Sequence, residues 1–314
     1  MNVREKVLRE LKDGSVSGGK LASALGISRN AVWKAVDSLR AQGYVIQGCP
    51  SKGYRLESAP EVLSEAAIRA GIKAENPRIF LYSSIDSTDS QAKRLLADGL
   101  EGLALLAANE QTAGRGRRGR SFFSPAGTGV YMTLVLRPEA KLSEAASLTT
   151  AAAVAVTRAI EKLTGRQVQI KWVNDLYLDG RKICGILTEA VTDFESGAVQ
   201  SVLVGVGVNL HKQEFPETLS QSAASLDSTI DRNSMIAAIA DEVFTLYSDL
   251  SDKRYISDYH AHSMVIGKHV NYYEGTQMYS AFAVDINENG ALLVRHADGS
   301  MKTLSGGEIT LRVV

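Results

Sequence analysis

Residues 3 to 11, "VREKVLREL", set Val3, Val7, Leu8 and Leu11 three and four apart among charged positions. That spacing predicts a short helix, closed by Asp13 and Gly14. A second short helix is expected over 20 to 25. A third is expected in "SRNAVWKAVDSLRAQG", where Val32, Val36 and Leu39 share a face, Ser28 caps the start and Gly43 ends the run. The pattern then shifts to two short strands, 44 to 47 and 53 to 56, joined by a turn rich in Gly, Pro and Ser. Helix, turn, helix and hairpin, in that order, is a winged helix-turn-helix. Ser28, Arg29, Asn30, Trp33 and Lys34 then stand at the start of the helix that enters the major groove, and Lys52 in the wing suits phosphate or the minor groove. A helical cap on the next domain is the alternative, but it has no need of Arg29, Asn30 and Lys34 facing outward.

Beyond the proline at position 60 strands and helices mix. Strands are expected at 78 to 83, 103 to 109 and 129 to 136, with a helix capped by Ser87 that turns Ala92, Leu95 and Leu96 inward. An alanine-rich helix should span 144 to 163. Four apolar segments follow at 168 to 172, 175 to 178, 182 to 191 and 199 to 210, with little helix between them. This favours a mixed sheet with helices on one face. The Ser-rich stretch 209 to 233 reads as a mobile loop, and helices return at 235 to 250 and 254 to 261. From 265 onward, short alternating segments separated by "EGTQ", "NENG" and "ADGS" predict a small β-barrel of SH3 size. The expectation is an α+β multidomain protein with boundaries at 1–60, 61–264 and 265–314.

At 314 residues, 45% hydrophobic and 22% charged, the chain has enough apolar content for several cores, so disorder is not expected. Thirty-five Lys and Arg balance thirty-five Asp and Glu, so any basic function must be local. No segment reaches the ~18 apolar residues of a membrane span, and a soluble cytoplasmic protein is expected. Cys49 and Cys184 are too far apart in sequence for a disulfide framework or thiolate metal site. His260 and His262, two apart on a helix, are expected at the surface.

The local basic cluster is "GRGRRGR", residues 114 to 120, in the loop between two apolar strands. Glycines let backbone approach a ligand, arginines offer planar forks to carboxylate or phosphate, and four like charges should keep the free loop mobile until an anion orders it. A solvated loop or a nucleic-acid contact would use the same residues. The anion cradle needs partners, and "KWVNDLYLDGRKICGI" at 171 to 186 supplies Lys171, Asn174, Asp175, Arg181 and Lys182 around two short strands. A hairpin turning at Asp179 and Gly180 accounts for Asp179 and Arg181 but not for "WVND".

Together "DSTDSQAK", "GRGRRGR", "KWVNDLYL…GRKICGIL" and "GVGVNL", in order behind a winged helix, resemble the bifunctional biotin protein ligases that are also biotin operon repressors. The resemblance spans essentially the whole chain. It implies a winged helix-turn-helix DNA-binding domain, a biotin/lipoate ligase-like catalytic domain of mixed sheet and helices, and an SH3-like C-terminal barrel. The implied reaction joins biotin to ATP, giving biotinyl-5′-AMP, and passes the biotinyl group to a lysine of the biotin carboxyl carrier protein of acetyl-CoA carboxylase. The adenylate-bound form is then expected to dimerise, through an exposed strand edge such as 197 to 208, and bind operator DNA. A transcription factor with an inactive ligase fold, and a ligase for lipoate or another acid, are the competing classes.

Carried over by motif, biotin would meet Ser87, Thr88, Asp89, Gln111, Arg115, Gly116, Arg117 and Lys182. ATP or the adenylate would meet Arg117, Arg118, Arg120, Asn174, Asp175 and Asn209. Lys182, Arg117 and Arg115 would be catalytic, with Lys182 between carboxylate and α-phosphate, and Mg²⁺ would arrive on the ATP phosphates beside Asp175. Two positions depart from the family pattern: Asp89 where asparagine is common, and Val173 where proline is usual.

Overall fold

Three apolar stripes close on one another at the start of the chain. In the computed structural model, α1 (Val3–Leu11), α2 (Gly18–Leu25) and α3 (Arg29–Ala41) bury Val7, Leu11, Leu21, Val32, Val36 and Leu39 in one core with Ile46. All residues are described except 1–2, 12–13, 42–43, 50–52, 59–61, 138–144, 193–197, 275, 306–311 and 314. The predicted helix stops at Asp13 and Gly43, the wing residue Lys52 and the start of the alanine-rich helix at Glu144 therefore lie outside the described residues. The chain divides into two compact units, Met1–Val62 and Leu63–Val314.

Local capping explains the first unit. The Ser17 hydroxyl accepts from the Lys20 N–H, Gly26 ends α2 at φ 64°, and Ser28 Oγ accepts from the Ala31 N–H at 3.1 Å to start α3. Strands β1 (Val45–Cys49) and β2 (Gly53–Ser58) form the expected antiparallel hairpin, and Val16 exchanges two 2.9 Å backbone bonds with Tyr54 along its edge. On α3, Ser28, Arg29, Asn30 and Lys34 are exposed, and Trp33 keeps 51% of its surface in solvent rather than joining the core.

The second unit is built on a seven-stranded sheet: β3 (Arg78–Tyr82), β4 (Ala104–Ala108), β5 (Gly129–Leu136), β6 (Gln169–Lys171), β7 (Asp175–Leu178), β8 (Arg181–Thr192) and β9 (Val199–Asn209). Their spatial order is β3-β4-β5-β9-β8-β7-β6. Only the β3–β4 pair is parallel. The sheet is mixed, as expected, but helices cover both faces rather than one. Leu134, Val204 and Ile186 join the core that contains α6 (Ala145–Thr164) and α7 (Arg232–Ser248), whereas Val135 and Leu203 pack with Ala92 of α5 (Thr88–Ala97). Neighbouring residues of one strand point to opposite faces, so alternating apolar positions on β5 and β9 require cover on both sides.

Strand β9 is also paired on both sides along most of its length, to β5 through residues 202–209 and to β8 through 199–208. The edge expected at 197 to 208 is thus not free. Besides the outer edges of the terminal strands β3 and β6, β8 leaves part of an edge open: β7 pairs only as far as Gly185, and among the described residues no strand pairs with 187–192 on that side.

The stretch expected as a mobile loop runs irregularly but is fastened to the sheet. Ser222 and Ala224 exchange 2.9 Å backbone bonds with Lys182, and Leu226 N–H donates to Asn209. Helices α4 (Glu65–Gly71) and α8 (Tyr255–His262) complete the packing. The C-terminal strands β10 (His269–Glu274), β11 (Gln277–Ile286), β12 (Leu292–Arg295), β13 (Met301–Leu304) and β14 (Arg312–Val313) form a sheet ordered β13-β12-β11-β10-β14, and among the described residues it does not close into a barrel. Its Val270, Tyr272, Ala283 and Val294 share one continuous core with the central sheet. His260 and His262 are half-buried rather than at the surface: His260 Nε2 lies 2.6 Å from the Ile286 carbonyl, and His262 bridges the Asp258 carbonyl and Glu161. Cys184 is buried, which pushes its thiol well above the ordinary range. No helix among the described residues is long and apolar enough to cross a membrane.

Gly53 is the position on which the wing depends. Its φ is +87°, and a Cβ there would lie 2.3 Å from the Val16 carbonyl oxygen. Gly53→Ala should destabilise the N-terminal unit by about 1–3 kcal/mol, checked by denaturant unfolding of the full chain followed at Trp33.

Candidate active site

Glycines open the space. Gly205 and Gly207 are two apart on β9 and face the same side, and Gly185 on β8 is the register partner of Gly207. Three missing side chains leave a trough on the α5-covered face. A Cβ on Gly205 would sit 2.4 Å from Asp89 Oδ1, one on Gly207 2.6 Å from the Phe122 ring, and one on Gly185 3.2 Å from Lys182 Nζ. The trough continues into a cavity of about 370 Å³.

Thr88 and Asp89 in the first turn of α5 line one part of it. Thr88 is held from the loop after β4: its N–H donates to Gln111 Oε1 at 2.9 Å, while Gln111 Nε2 donates to Ser124 Oγ. Ser87 does not cap α5 through its side chain. It is buried, its Oγ has no partner among the described residues, and it does not line the cavity. Asp89 is held by Thr133 on β5, whose hydroxyl lies 2.9 Å from Oδ1. Burial raises its carboxyl from 3.8 to about 6 despite that bond.

The arginine loop folds as a small hairpin over the cavity. Gly116 N–H donates to the Arg120 carbonyl at 2.7 Å, Arg115 bridges Ser121, and the turn between them holds Arg118 at φ 58° and Gly119 at 72°. Arg117 meets a partner from the 171–186 motif, where Lys182 is paired as well. Arg117 Nη1 donates to Asn174 Oδ1 at 2.9 Å, Asn174 Nδ2 is tied to the Ile186 carbonyl at 2.7 Å, and Lys182 Nζ lies 2.7 Å from Asp175 Oδ1. Burial depresses the Arg117 guanidinium against the pull of Asp175, yet an arginine stays charged. Arg115 is paired with Glu189 of β8 at 3.4 Å, and Lys93 of α5 reaches the same carboxylate at 3.1 Å.

Arg115, Gly116, Arg117, Arg118 and Arg120 all line the cavity, as do Asn174, Asp175, Lys182 and Asn209. Of the residues expected at the small-molecule site only Ser87 stands outside it. Several lining residues were not anticipated. Phe122 lies across Gly207, and Phe123 faces Phe215 of the 210–230 segment with ring centroids 6.3 Å apart. Phe215 has no sequence signal that joins it to Phe123, because the pair forms only where that segment returns to Lys182. Glycine alternation in "GVGVNL" was a readable signal for the trough. Among the described residues no three His, Cys, Asp or Glu side chains converge to cage a metal, and the cavity's carboxylates are Asp89 and Asp175.

The wall carrying Asn174 and Asp175 is held from behind. Trp172 Nε1 donates to the Gly290 carbonyl at 2.9 Å, and the buried Tyr259 hydroxyl donates to the Val173 carbonyl at 3.1 Å. Gly290 itself has φ 77° and is pressed against Thr150 of α6, so the turn before β12 has no room for a side chain there.

Residues 81–209 match the biotin/lipoate A/B protein ligase family, 3–55 an HTH domain, and 265–312 the biotin protein ligase C-terminal domain. The chain is 35% identical over 306 residues to the bifunctional ligase/repressor BirA of Bacillus subtilis, covering 92% of each chain. It is 30% identical over 315 residues to that of Escherichia coli, covering 98% of this chain and 96% of the relative. It is also similar to the structure of the Aquifex aeolicus biotin protein ligase in complex with biotin and ATP, with TM-score 0.63 and 25% identity over 76% of this chain and 99% of that one.

Gly207→Ala should force the Phe122 ring from its seat and, by overpacking, lower stability by about 1–3 kcal/mol. Calorimetric melting would show a fall of several degrees.

Proposed function

The chain belongs to the biotin protein ligase family, in the branch of bifunctional ligase/repressors, and on that premise we propose that it condenses biotin with ATP, biotinylates a carrier lysine and represses transcription at an operator. The observation that carries the ligase half is the pairing of two cations with two polar side chains at the trough: Arg117 with Asn174, and Lys182 with Asp175. Biotin carboxylate and the α-phosphate of ATP repel each other. Charge must be neutralised before the carboxylate oxygen can attack phosphorus and expel pyrophosphate.

In this reading Lys182 stands between carboxylate and α-phosphate, Arg117 stabilises charge that builds in the transition state, and Arg115, Arg118 and Arg120 take the remaining oxygens. Gly116 brings backbone close to the acid. Phe122, Phe123 and Phe215 supply an apolar wall for the adenine and shield the mixed anhydride from water. Asn174, Asp175 and Asn209 hold the nucleotide side. A divalent cation carried on the phosphates, Mg²⁺ by expectation, would meet Asp175, which suits it as an oxygen ligand and among the described residues has no companions for a protein-made cage. The acceptor lysine then attacks the acyl carbonyl and AMP leaves. The polar groups of Thr88, Asp89 and Gln111 favour a urea head over the apolar dithiolane of lipoate.

The repressor half rests on α3, which offers Ser28, Arg29, Asn30, Trp33 and Lys34 to DNA from a compact winged unit. We read the C-terminal sheet as the SH3-like module, the segments 1–60, 61–264 and 265–314 as the functional divisions, and the cytoplasm as the compartment. The adenylate-bound form would dimerise through the β8 edge at 187–192, which ends near the site because Glu189 on it holds Arg115. The biotin carboxyl carrier protein of acetyl-CoA carboxylase would compete for that edge.

Mass spectrometry after incubation with ATP, Mg²⁺ and biotin should reveal biotinyl-AMP that labels one lysine of an added carrier domain, with no product from lipoate. Arg117→Ala and Lys182→Ala should each slow adenylation about a hundredfold or more without unfolding the protein. Absence of adenylate with either acid overturns the ligase reading. Carrier addition should lower operator occupancy in a fluorescence anisotropy assay, and unchanged occupancy would overturn the shared edge.

A further inference from the structure

Trp172, Val173 and Asn174, consecutive in one turn, are each fastened to a different part of the molecule. The turn joins β6 to β7, strands of three and four residues at the end of the sheet. Strands this short hold a hairpin only marginally, so its tip takes the position that outside contacts give it. Trp172 Nε1 reaches the Gly290 carbonyl before β12, and the Tyr259 hydroxyl of α8 reaches the Val173 carbonyl at 3.1 Å. Asn174 joins Ile186 of β8 twice: its carbonyl accepts from the Ile186 N–H at 2.9 Å, and its Nδ2 donates to the Ile186 carbonyl.

Tyr259 differs from the other ties in its place. Trp172 and Asn174 line the cavity, whereas Tyr259 is fully buried behind it and touches no space a ligand could fill. Its helix is stitched to the same hairpin just beyond its end, where the Met264 N–H donates to the Ile170 carbonyl of β6 at 3.0 Å. A carbonyl only accepts, so the phenol donates. Burial, with Asp175 nearby, keeps that phenol far above its ordinary range, and it remains a donor at every working pH.

The Val173 carbonyl shares one planar peptide unit with the Asn174 nitrogen, so whatever fixes that oxygen also fixes where Asn174 begins. From there the two cations are close. Asn174 Oδ1 accepts from Arg117 Nη1 at 2.9 Å, Asn174 Nδ2 reaches Asp175 Oδ1 at 3.2 Å, and the same Oδ1 lies 2.7 Å from Lys182 Nζ. We infer that Tyr259 is a positioning residue for the adenylation step: its hydroxyl sets the Val173–Asn174 peptide plane, and through it the places of Arg117 and Lys182 against the carboxylate and α-phosphate they must neutralise. This deepens the ligase reading and rests on it. Without the hydroxyl, a buried carbonyl loses its partner and the plane turns in search of another. Thr88 on α5 and Gln111 after β4 do not lean on this turn, so the fault falls on the chemistry rather than on the seating of the acid's ring.

Tyr259→Phe in the full chain keeps the ring and deletes one oxygen. With saturating biotin, ATP and Mg²⁺, single-turnover formation of biotinyl-AMP should slow about tenfold. The biotin Kd from isothermal titration should change by less than about threefold, the split expected when an interaction matters chiefly in the transition state. Asn174→Ala should slow the same step, and adding Tyr259→Phe to it should cost clearly less than Tyr259→Phe costs alone, because the hydroxyl acts through that residue. A hydroxyl that served packing alone would give the same factor in both backgrounds. Unchanged adenylation in Tyr259→Phe, equal factors in the two backgrounds, or loss of biotin binding together with turnover would each overturn the proposal while leaving the ligase reading in place. A wild-type chain that makes no biotinyl-AMP overturns both.

Discussion

A sheet covered on both faces has no room for a ligand unless side chains are missing, and the site depends on that constraint. Gly185, Gly205 and Gly207 remove three Cβ atoms from one face of β8 and β9, and the space is taken by the Lys182 ammonium, the Asp89 carboxyl and the Phe122 ring. Glycine within a strand is unfavourable by roughly 0.5–1 kcal/mol relative to alanine. The opposite face offsets it, since Ile186, Val204, Val206 and Val208 are buried in the main core. One pair of strands thus supports the fold on one side and opens the cavity on the other.

Electrostatics follows from the same geometry. Arg115 and Arg117 of the loop and Lys182 of β8 would repel one another without partners. Glu189, Asn174 and Asp175 come from the sheet to meet them, so their positions are set before any anion arrives. Preorganisation of this kind matters most where solvent is scarce, and Arg117 is the most deeply buried of the loop cations. The Asp89 carboxyl, against Gly205, lines the same cavity as these cations.

Support for the site is spread across the chain. The wall with Asn174 and Asp175 leans on Tyr259 of α8 and on the Gly290 turn of the C-terminal sheet, while Lys182 is fastened through its backbone to Ser222 and Ala224. The C-terminal strands therefore share in positioning the chemistry, consistent with a core that runs unbroken from one sheet to the other.

Periodicity alone located most helices and strands, because apolar positions in α1, α3, β5 and β9 repeat at periods that only one element type satisfies. The cationic motifs with Arg117 and Lys182 were visible in the sequence and the structure brings both to one cavity, whereas Gln111 entered only through the family resemblance and its bond to the α5 N-terminus needed the fold. What one-dimensional reading missed depends on strand order and on which face a residue takes. Helices on both sides, the free edge on β8 instead of β9, the half-buried histidines and the Phe123–Phe215 pair all arise from neighbours distant in sequence. The amino-acid sequence by itself determined the elements, the cationic loop and the departure at Asp89. Only the tertiary structure decided that Asp89 meets Thr133 over Gly205, because burial and hydrogen bonding exist only once β5, β9 and α5 are packed together.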